Sequence, residues 1–339
     1  MIFEHFFNDP WVILGLKLAA VLGLFLTLPL IVGYGEHKGL AHMQSRFGPM
    51  EAGKFHGWAQ LIADGVKFIQ KEDIIPEAAD RKVFAMAPAF ALLPVMLTFL
   101  VLPFGPGLAG DEANGFFGEN MDLSLFFVLA ISAVGVIAML MAGWSSANKF
   151  ALIGAIRGAA QLIAYELPLV LAAGAVAMQA GSVSLVDIAA AQSDQLWFVV
   201  PQFAGFIIFI MASLAELSRP PFDMPIADSE IIFGHMTEYT GLRFALFLLA
   251  EYAGIVALAA VATVLFLGGW NAPPLLDISF IPAPFWTFAK IGALAFVIIW
   301  LRATYPRLRE DQLQKMAWKF LIPASLIQIL ATGIFKVAF

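Results

Sequence analysis

Residues 215–252 read AELSRPPFDMPIADSEIIFGHMTEYTGLRFALFLLAEY, and this stretch sets an acidic connection between two long apolar runs. The flanking runs, 196–215 and 243–268, are long enough to cross the ~30 Å hydrocarbon layer of a membrane as helices. Six carboxylates lie in or just beyond the connection: Glu216, Asp223, Asp228, Glu230, Glu238 and Glu251. Because ionisable groups at this depth are costly, the stretch predicts a functional site in a helical membrane protein.

The composition supports this fold class for the whole chain. Of 339 residues, 61% are hydrophobic and 13% are charged, and the mean hydropathy is +0.85. The apolar runs are continuous rather than alternating, which excludes a membrane β-barrel and predicts an all-α polytopic protein. The absence of cysteine excludes disulfides and cysteine-held iron–sulfur clusters in this chain. The net charge of −6 argues against a nucleic-acid partner.

The apolar runs predict eight transmembrane helices within a single transmembrane domain, 1–339. The first run is too long for the apolar region of a cleavable signal, so we expect it to be a span. The predicted spans are 11–33, 84–103, 123–143, 159–180, 196–215, 243–268, 284–302 and 317–338.

The basic residues predict the orientation of these spans. Sixteen of the 19 lysines and arginines lie in alternate connections, 34–83, 144–158, 216–243 and 302–319. The other three connections, 104–122, 181–195 and 269–283, contain acids but no lysine or arginine. By the positive-inside rule, the basic connections are cytoplasmic and both termini are outside.

The first long connection predicts an amphipathic surface helix at 55–71. Its apolar residues recur at helical spacing, and polar residues recur on the opposite face. The apolar set is Phe55, Trp58, Ile62, Val66 and Ile69, and the polar set is Gln60, Asp64, Lys67 and Lys71. The segment is too short and too charged to span, so we expect it along the membrane surface or against the bundle.

Three carboxylates, Glu166, Glu216 and Glu251, are predicted in the cytoplasmic halves of successive spans. Glu166 stands two residues before Pro168, which frees a backbone carbonyl nearby. Desolvated neighbouring carboxylic acids can pass protons and respond to a nearby change of charge. The alternative is that each acid is tied to a fixed partner such as Arg219, Arg243 or Lys290. Three acids on consecutive spans favour the functional interpretation.

Other motifs are less informative. The sequence Arg219-Pro-Pro-Phe222-Asp223 predicts a stiff turn, because each proline restricts φ. The five histidines, His5, His37, His42, His56 and His235, lack metal-ligand spacing and are expected at the membrane interface. No phosphate-binding loop or nucleophile motif occurs, and no metal site is predicted.

Five segments resemble the quinone-site membrane subunit, the H-type subunit, of bacterial proton-pumping NADH–quinone oxidoreductase (respiratory complex I). They occur in the order typical of that family and cover much of the chain. The segments are HMQSRFGP (42–49), GWAQLIADGVKFIQKED (57–73), GWSSANKFALIGAIRGAAQLIAYELP (143–168), the 215–252 stretch and WLRATYPRLREDQLQKMAWKFLIP (300–323). The family fold implied is eight spans with an amphipathic helix after the first.

The resemblance also implies a function. Such a subunit forms the quinone-binding chamber of a multi-pass complex in the bacterial cytoplasmic membrane and couples quinone reduction to proton translocation. It holds no redox cofactor itself, since FMN and iron–sulfur clusters belong to partner subunits, and quinone is the substrate. The implied quinone-binding residues are Arg46, Asp64, Lys67, Arg219 and Phe222. The implied proton-coupling residues are Glu166, Glu216, Asp223, Asp228, Glu230 and Glu251.

Two departures from the family pattern bear on which acids act. The loop of the family commonly reads PFDLPEAESE, whereas this chain has Ile226 and Asp228 in place of two glutamates. The usual Glu-Arg after the first span is Glu36–His37 here. Two other functions stay open: the related membrane subunit of a hydrogenase or other donor-linked complex, and a stand-alone transporter.

Overall fold

The computed structural model describes residues 10–106, 119–193, 196–273 and 280–338, and within them all regular structure is helical. In chain order the helices are α1 (Pro10–Met43), α2 (Gln60–Gln70), α3 (Arg81–Val101), α4 (Ser124–Ser132), α5 (Val134–Ser145), α6 (Lys149–Ala180), α7 (Leu185–Ala190), α8 (Phe203–Glu216), α9 (Asp228–Ile231), α10 (Gly241–Phe266), α11 (Ala283–Thr304), α12 (Glu310–Met316) and α13 (Ile322–Ala338). A 3₁₀ turn (Gly234–Met236) precedes α10, and a π-helical turn (Ala317–Leu321) joins α12 to α13.

Seven helical segments within the described ranges are long and apolar enough to cross a membrane, which confirms a polytopic all-α protein. The segment predicted at 196–215 is shorter, because α8 has 14 residues and spans roughly 21 Å at the rise of an α-helix. Residues 198–202 form turns instead of helix. Pro201 explains this end, because it has no N–H to continue a helical ladder. The full count of eight spans stays a prediction.

Two helices extend about ten residues beyond the predicted spans at one end. Helix α1 continues to Met43 rather than ending at 33, so Glu36 and His37 are helical. Helix α6 begins at Lys149 rather than 159, because the Asn148 side chain caps it by accepting a hydrogen bond from the Phe150 N–H at 2.8 Å. Glu166 therefore lies near the middle of α6 and not close to its start.

The amphipathic helix is shorter than the predicted 55–71, because residues 55–59 form turns. The predicted apolar face of α2 points away from the bundle, with Ile62, Val66 and Ile69 exposed. Leu61 and Phe68 face the bundle instead, where the Phe68 ring lies 5.7 Å from that of Phe244 on α10. The exposed apolar face is therefore available to lipid or to another apolar partner.

Helices α6 and α10 form the centre of the bundle. Helix α6 packs against α5, α8 and α13, and α10 packs against α1, α3 and α11. Most of their buried residues are small, alanine above all. Small side chains let helices approach closely, which is the main source of helix association inside a membrane.

Glycines on α6 hold the acidic connection against the bundle. A Cβ built on Gly154 would lie 2.7 Å from the Gly234 Cα and 2.8 Å from the Pro225 oxygen. A Cβ on Gly158, one turn further along, would lie 3.0 Å from the Pro225 ring and 2.0 Å from the Met139 sulfur. The connection 217–240 thus sits on a glycine-lined strip of α6.

Candidate functional site

Glu166, Glu216 and Glu251 line one partly open cavity of about 200 Å³. Helices α3, α4, α5, α6 and α10, the end of α8 and the connection 217–240 form its walls. Ser218 and His235 also line it, and most other lining residues are apolar. Three carboxylates distant in sequence therefore share one partly open cavity.

Each carboxylate reaches the cavity from a different element. Glu166 projects from the middle of α6, Glu216 is the last residue of α8, and Glu251 lies ten residues into α10. The Glu216 Oε2 and the Ser218 Oγ are buried and make no hydrogen bond to another described group. Buried polar atoms without a partner are uncommon in folded proteins, so they mark this wall of the cavity as chemically unusual.

A buried ion-pair network adjoins the cavity. Arg219 is 2% exposed, and its NH1 donates to both carboxylate oxygens of Glu36 at 2.7 and 2.8 Å. Its Nε lies 2.7 Å from the Glu251 Oε1, an ion pair without the alignment of a hydrogen bond. Arg302 donates to the same Glu36, which is 1% exposed. The network thus contains two positive and two negative side chains in alternation, Arg302, Glu36, Arg219 and Glu251, and its formal net charge is zero.

The turn after α8 positions Arg219. Gln161 on α6 donates to the backbone oxygens of Ala215 at 2.6 Å and Phe222 at 2.7 Å, which fastens both ends of this turn to α6. Phe222 is buried, and its ring lies 5.3 Å from that of Tyr165. Phe222 thus packs in the core beside the network, and it is not among the residues that line the cavity.

The remaining predicted acids do not line the cavity. Glu230 is half-exposed and pairs with Arg157 at 2.6 Å and Arg307 at 3.8 Å. The hydrogen bond from Arg157, followed by the charge of Arg307, lowers the pKa of Glu230. Asp223 lies in the turn after Arg219. Asp228 begins α9, and its side chain is outside the described part of the structure.

The other predicted quinone-binding residues lie on α2 or just after the end of α1. Asp64 accepts a hydrogen bond from Gln60 at 3.0 Å and pairs with Lys67 at 3.4 Å along the same helix. Arg46 follows the end of α1, is exposed, and donates to Gln44 at 2.8 Å. None of the three belongs to the described lining of the acidic cavity. The sequence-predicted site is therefore divided into an internal acidic part and a surface part.

Comparison with known proteins identifies the family. The family model described as NADH dehydrogenase matches residues 16–333. The chain belongs to the family of H-type NADH-quinone oxidoreductase subunits. It is 43% identical to the H-type subunit of Geobacillus kaustophilus over 326 residues, 96% of this chain and 94% of that protein. It is 41% identical to an H-type subunit of Geobacter sulfurreducens over 343 residues, 97% of each chain.

Two residues of the ion-pair network, Glu36 and Arg302, were not predicted from the sequence as site residues. In the sequence, Glu36 stands out only as part of a departure from the family pattern, and Arg302 only as one of the basic residues of its connection. The pattern that locates Glu36 is visible only in the structure, where Val21, Phe25 and Gly33 recur on one buried face of α1. Continued past residue 33, the same periodicity places Glu36 on that face. Arg302 had no comparable signal.

The alternative that each acid is tied to a fixed partner holds in part, because Glu251 pairs with Arg219 at 2.7 Å. Among the described residues, Lys290 pairs with none of the three acids. Its Nζ donates to the backbone oxygens of Leu267 at 2.6 Å, Gly269 at 2.9 Å and Asn271 at 2.6 Å, and it lies 4.2 Å from the centre of the Trp197 ring. These oxygens follow the end of α10, where a helix presents unsatisfied carbonyls and partial negative charge. Lys290 therefore caps the end of α10 remote from Glu251.

Proposed function

We propose that this chain forms the quinone-binding chamber of an NADH-quinone oxidoreductase and couples quinone reduction to proton translocation through its buried carboxylates. The observation that carries the proposal is the convergence of Glu166, Glu216 and Glu251 on one cavity beside a balanced ion-pair network. The family assignment supplies the reaction, since the relatives are named as H-type subunits of NADH-quinone oxidoreductase.

The proposed coupling is electrostatic. Reduction of a quinone to a quinol takes up two electrons and two protons, and partner subunits with FMN and iron–sulfur clusters supply the electrons. Proton uptake changes the charge beside the connection 216–238. In a low-dielectric interior such a change acts strongly on neighbouring carboxylates. A proton on Glu251 would remove its charge from Arg219 and leave Arg219 paired with Glu36 alone. The network can thus exist in two charge states.

The surface part of the site is the proposed quinone chamber. Arg46, Asp64 and Lys67 supply polar groups near the membrane surface, and Arg219 and Phe222 form its inner end beside the network. The exposed apolar face of α2 suits the isoprenoid tail of a quinone that enters from the lipid.

The acidic connection completes the proposed proton path. Asp223, Asp228 and Glu230 would join the cavity to the cytoplasmic surface, where Arg157 and Arg307 hold Glu230. We propose that the chain lies in the bacterial cytoplasmic membrane with both termini outside, as the distribution of its basic residues predicts. Its partners are the other subunits of the complex, together with quinone and membrane lipid.

Substitution of Glu216 tests the proposal in the whole complex. Glu216→Gln keeps the side-chain shape but removes the ionisable group, so NADH-driven quinone reduction should fall at least about tenfold, within the effect of losing one positioned proton-transfer group. Proton transport into vesicles should fall with it. Glu77→Gln, which changes an exposed acid, is the matched control. Wild-type turnover and proton stoichiometry in Glu216→Gln would contradict the proposal.

The electron donor is tested separately. If the chain serves an NADH-oxidising complex, purification through a tag on this subunit should recover a flavin-bearing subunit that oxidises NADH. Recovery of a hydrogen-oxidising module instead would support the alternative membrane subunit of a hydrogenase.

A further inference from the structure

His235 occupies a position that its sequence context did not predict. It was expected at the membrane interface, but it is 5% exposed and lies in the 3₁₀ turn Gly234–Met236. This correction follows from the close packing of Gly234 on Gly154 of α6, which draws the turn into the bundle. His235 is therefore one of the residues that line the acidic cavity.

The imidazole of His235 is incompletely satisfied. Its Nδ1 is buried and has no hydrogen-bond partner among the described residues. Phe247 of α10 contacts the ring edge-on, with 5.7 Å between ring centres. The titratable groups that share the described cavity with His235 are Glu166, Glu216 and Glu251.

The orphaned polar atoms of the cavity form a set. The Glu216 Oε2, the Ser218 Oγ and the His235 Nδ1 all belong to cavity-lining residues and all lack a described partner. Buried polar atoms normally find protein or water partners. A cavity of about 200 Å³ with several polar groups has room for hydrogen-bonded water. Water can then join the imidazole to the carboxylates without direct contact.

We propose that His235 is a proton-transfer residue of the acidic cavity, which exchanges protons with Glu216 and Glu251. This inference rests on the proposed function of the cavity. In one transfer, the protonated carboxyl group of one glutamate gives its proton through water to a ring nitrogen of His235. The resulting imidazolium loses the proton on its other nitrogen to the second carboxylate. One proton enters and one leaves, and no electron moves.

The environment of His235 suits transfer rather than storage of a proton. Burial lowers the pKa of His235 to about 4, so the ring is neutral at pH 7. A neutral imidazole has one nitrogen that accepts and one that donates, which is the arrangement a relay requires.

The competing explanation is that the ring of His235 only packs against Phe247. Two variants distinguish this packing role from proton transfer. His235→Phe keeps a ring of similar size but cannot carry a proton. His235→Ala removes the ring and leaves space for added imidazole. The matched control is Met236→Ala, since Met236 is the next residue, is also buried and lines the same cavity.

The variants are tested in the complete complex in proteoliposomes. We expect quinone reduction and proton transport to be at least about tenfold slower in both His235 variants, because one positioned acid–base group contributes about a hundredfold and neighbouring carboxylates supply a partial bypass. Added imidazole should restore part of the rate in His235→Ala, saturating with concentration. Imidazole should not restore Met236→Ala.

Two results overturn the inference. One is wild-type turnover and proton stoichiometry in His235→Phe, and the other is a slow His235→Ala that imidazole does not restore. Should His235→Ala fail to assemble, the result for His235→Phe decides. Glu216→Gln is measured in parallel: if it is slow while His235→Phe is normal, only the role of His235 fails. If Glu216→Gln is also normal, the proposed function of the cavity fails.

Discussion

Single residues decide the charge balance beside the cavity. Glu36 accepts from two arginines, and Arg219 serves both Glu36 and Glu251. Removing one member of a buried ion pair leaves an uncompensated charge in a low-dielectric interior. Among the members of the network, Glu36 should contribute most to the stability of the subunit, because it joins α1 to both α11 and the turn after α8.

Glu36→Ala should therefore destabilise the subunit by about 3–5 kcal/mol, the usual cost of breaking a buried pair. The thermal stability of the purified complex measures the loss. Glu119→Ala is the control, because Glu119 pairs with Lys17 at 3.4 Å while more than half exposed. An exposed pair of this kind contributes about 1 kcal/mol or less. Equal stability of the two variants would show that the network does not hold these elements together.

The pair of Glu230 and Arg157 predicts a pH effect on the connection. The pKa of Glu230 is lowered by Arg157, so the ionised form of Glu230 stabilises the folded connection. This contribution is complete above the ordinary glutamate pKa of about 4.3, and it is lost as pH falls through the lowered pKa. Hydrogen exchange of residues 217–240, corrected for intrinsic rates, should rise over that acidic range. Glu230→Gln should show the raised exchange already at pH 7, whereas Asp311→Asn should not.

At the scale of elements, close approach decides where the acidic connection lies. Glycine in a helix interior is less favourable than alanine by up to about 1 kcal/mol, so glycines there need a packing reason. Gly154 and Gly158 have one, because Pro225 and Gly234 occupy the space of their missing side chains. The strip carries the connection that brings Ser218 and His235 to the cavity.

Gly154→Ala should destabilise the subunit by about 1–3 kcal/mol despite the better helix propensity of alanine, because backbone atoms of the connection must move. Gly292→Ala on α11 is the control, since a Cβ there meets nothing within 4 Å. The control should be neutral or slightly stabilising. Thermal stability and NADH-driven quinone reduction report both effects, and a neutral Gly154→Ala would mean that the contact is not tight.

At the scale of the whole molecule, the distribution of basic residues predicts orientation. This sequence has no cysteine, so a single introduced cysteine is its one site for thiol labelling. Ser193→Cys, in an acidic connection, should react with a membrane-impermeant maleimide added outside intact cells. Glu77→Cys, in a basic connection, should react only after the membrane is opened. The reverse pattern would invert the predicted topology.

The sequence by itself determined the fold class, the existence and approximate place of the long helices, and the amphipathic segment. These features depend on local hydropathy and periodicity, which neighbouring residues carry. The acids of the cavity were also identified as candidates, because a carboxylate within an apolar run is conspicuous. The ends of the helices followed less directly from the sequence. Helix α6 begins earlier than its predicted span because Asn148 caps it, and α8 begins later because Pro201 lies in the turn before it.

Only the tertiary structure decided which charges meet. Arg219 and Glu36 are 183 positions apart, and Arg302 and Glu36 are 266 apart. Local pattern carries no information at such separations, since it is the packing of α1 and α11 around α10 that brings them together. The packing of the helices also decides that Lys290 donates to the carbonyls beyond the end of α10 and that His235 lines the acidic cavity. The type of a residue determines the chemistry that its side chain can perform. The packing of the surrounding helices determines the partner of that side chain.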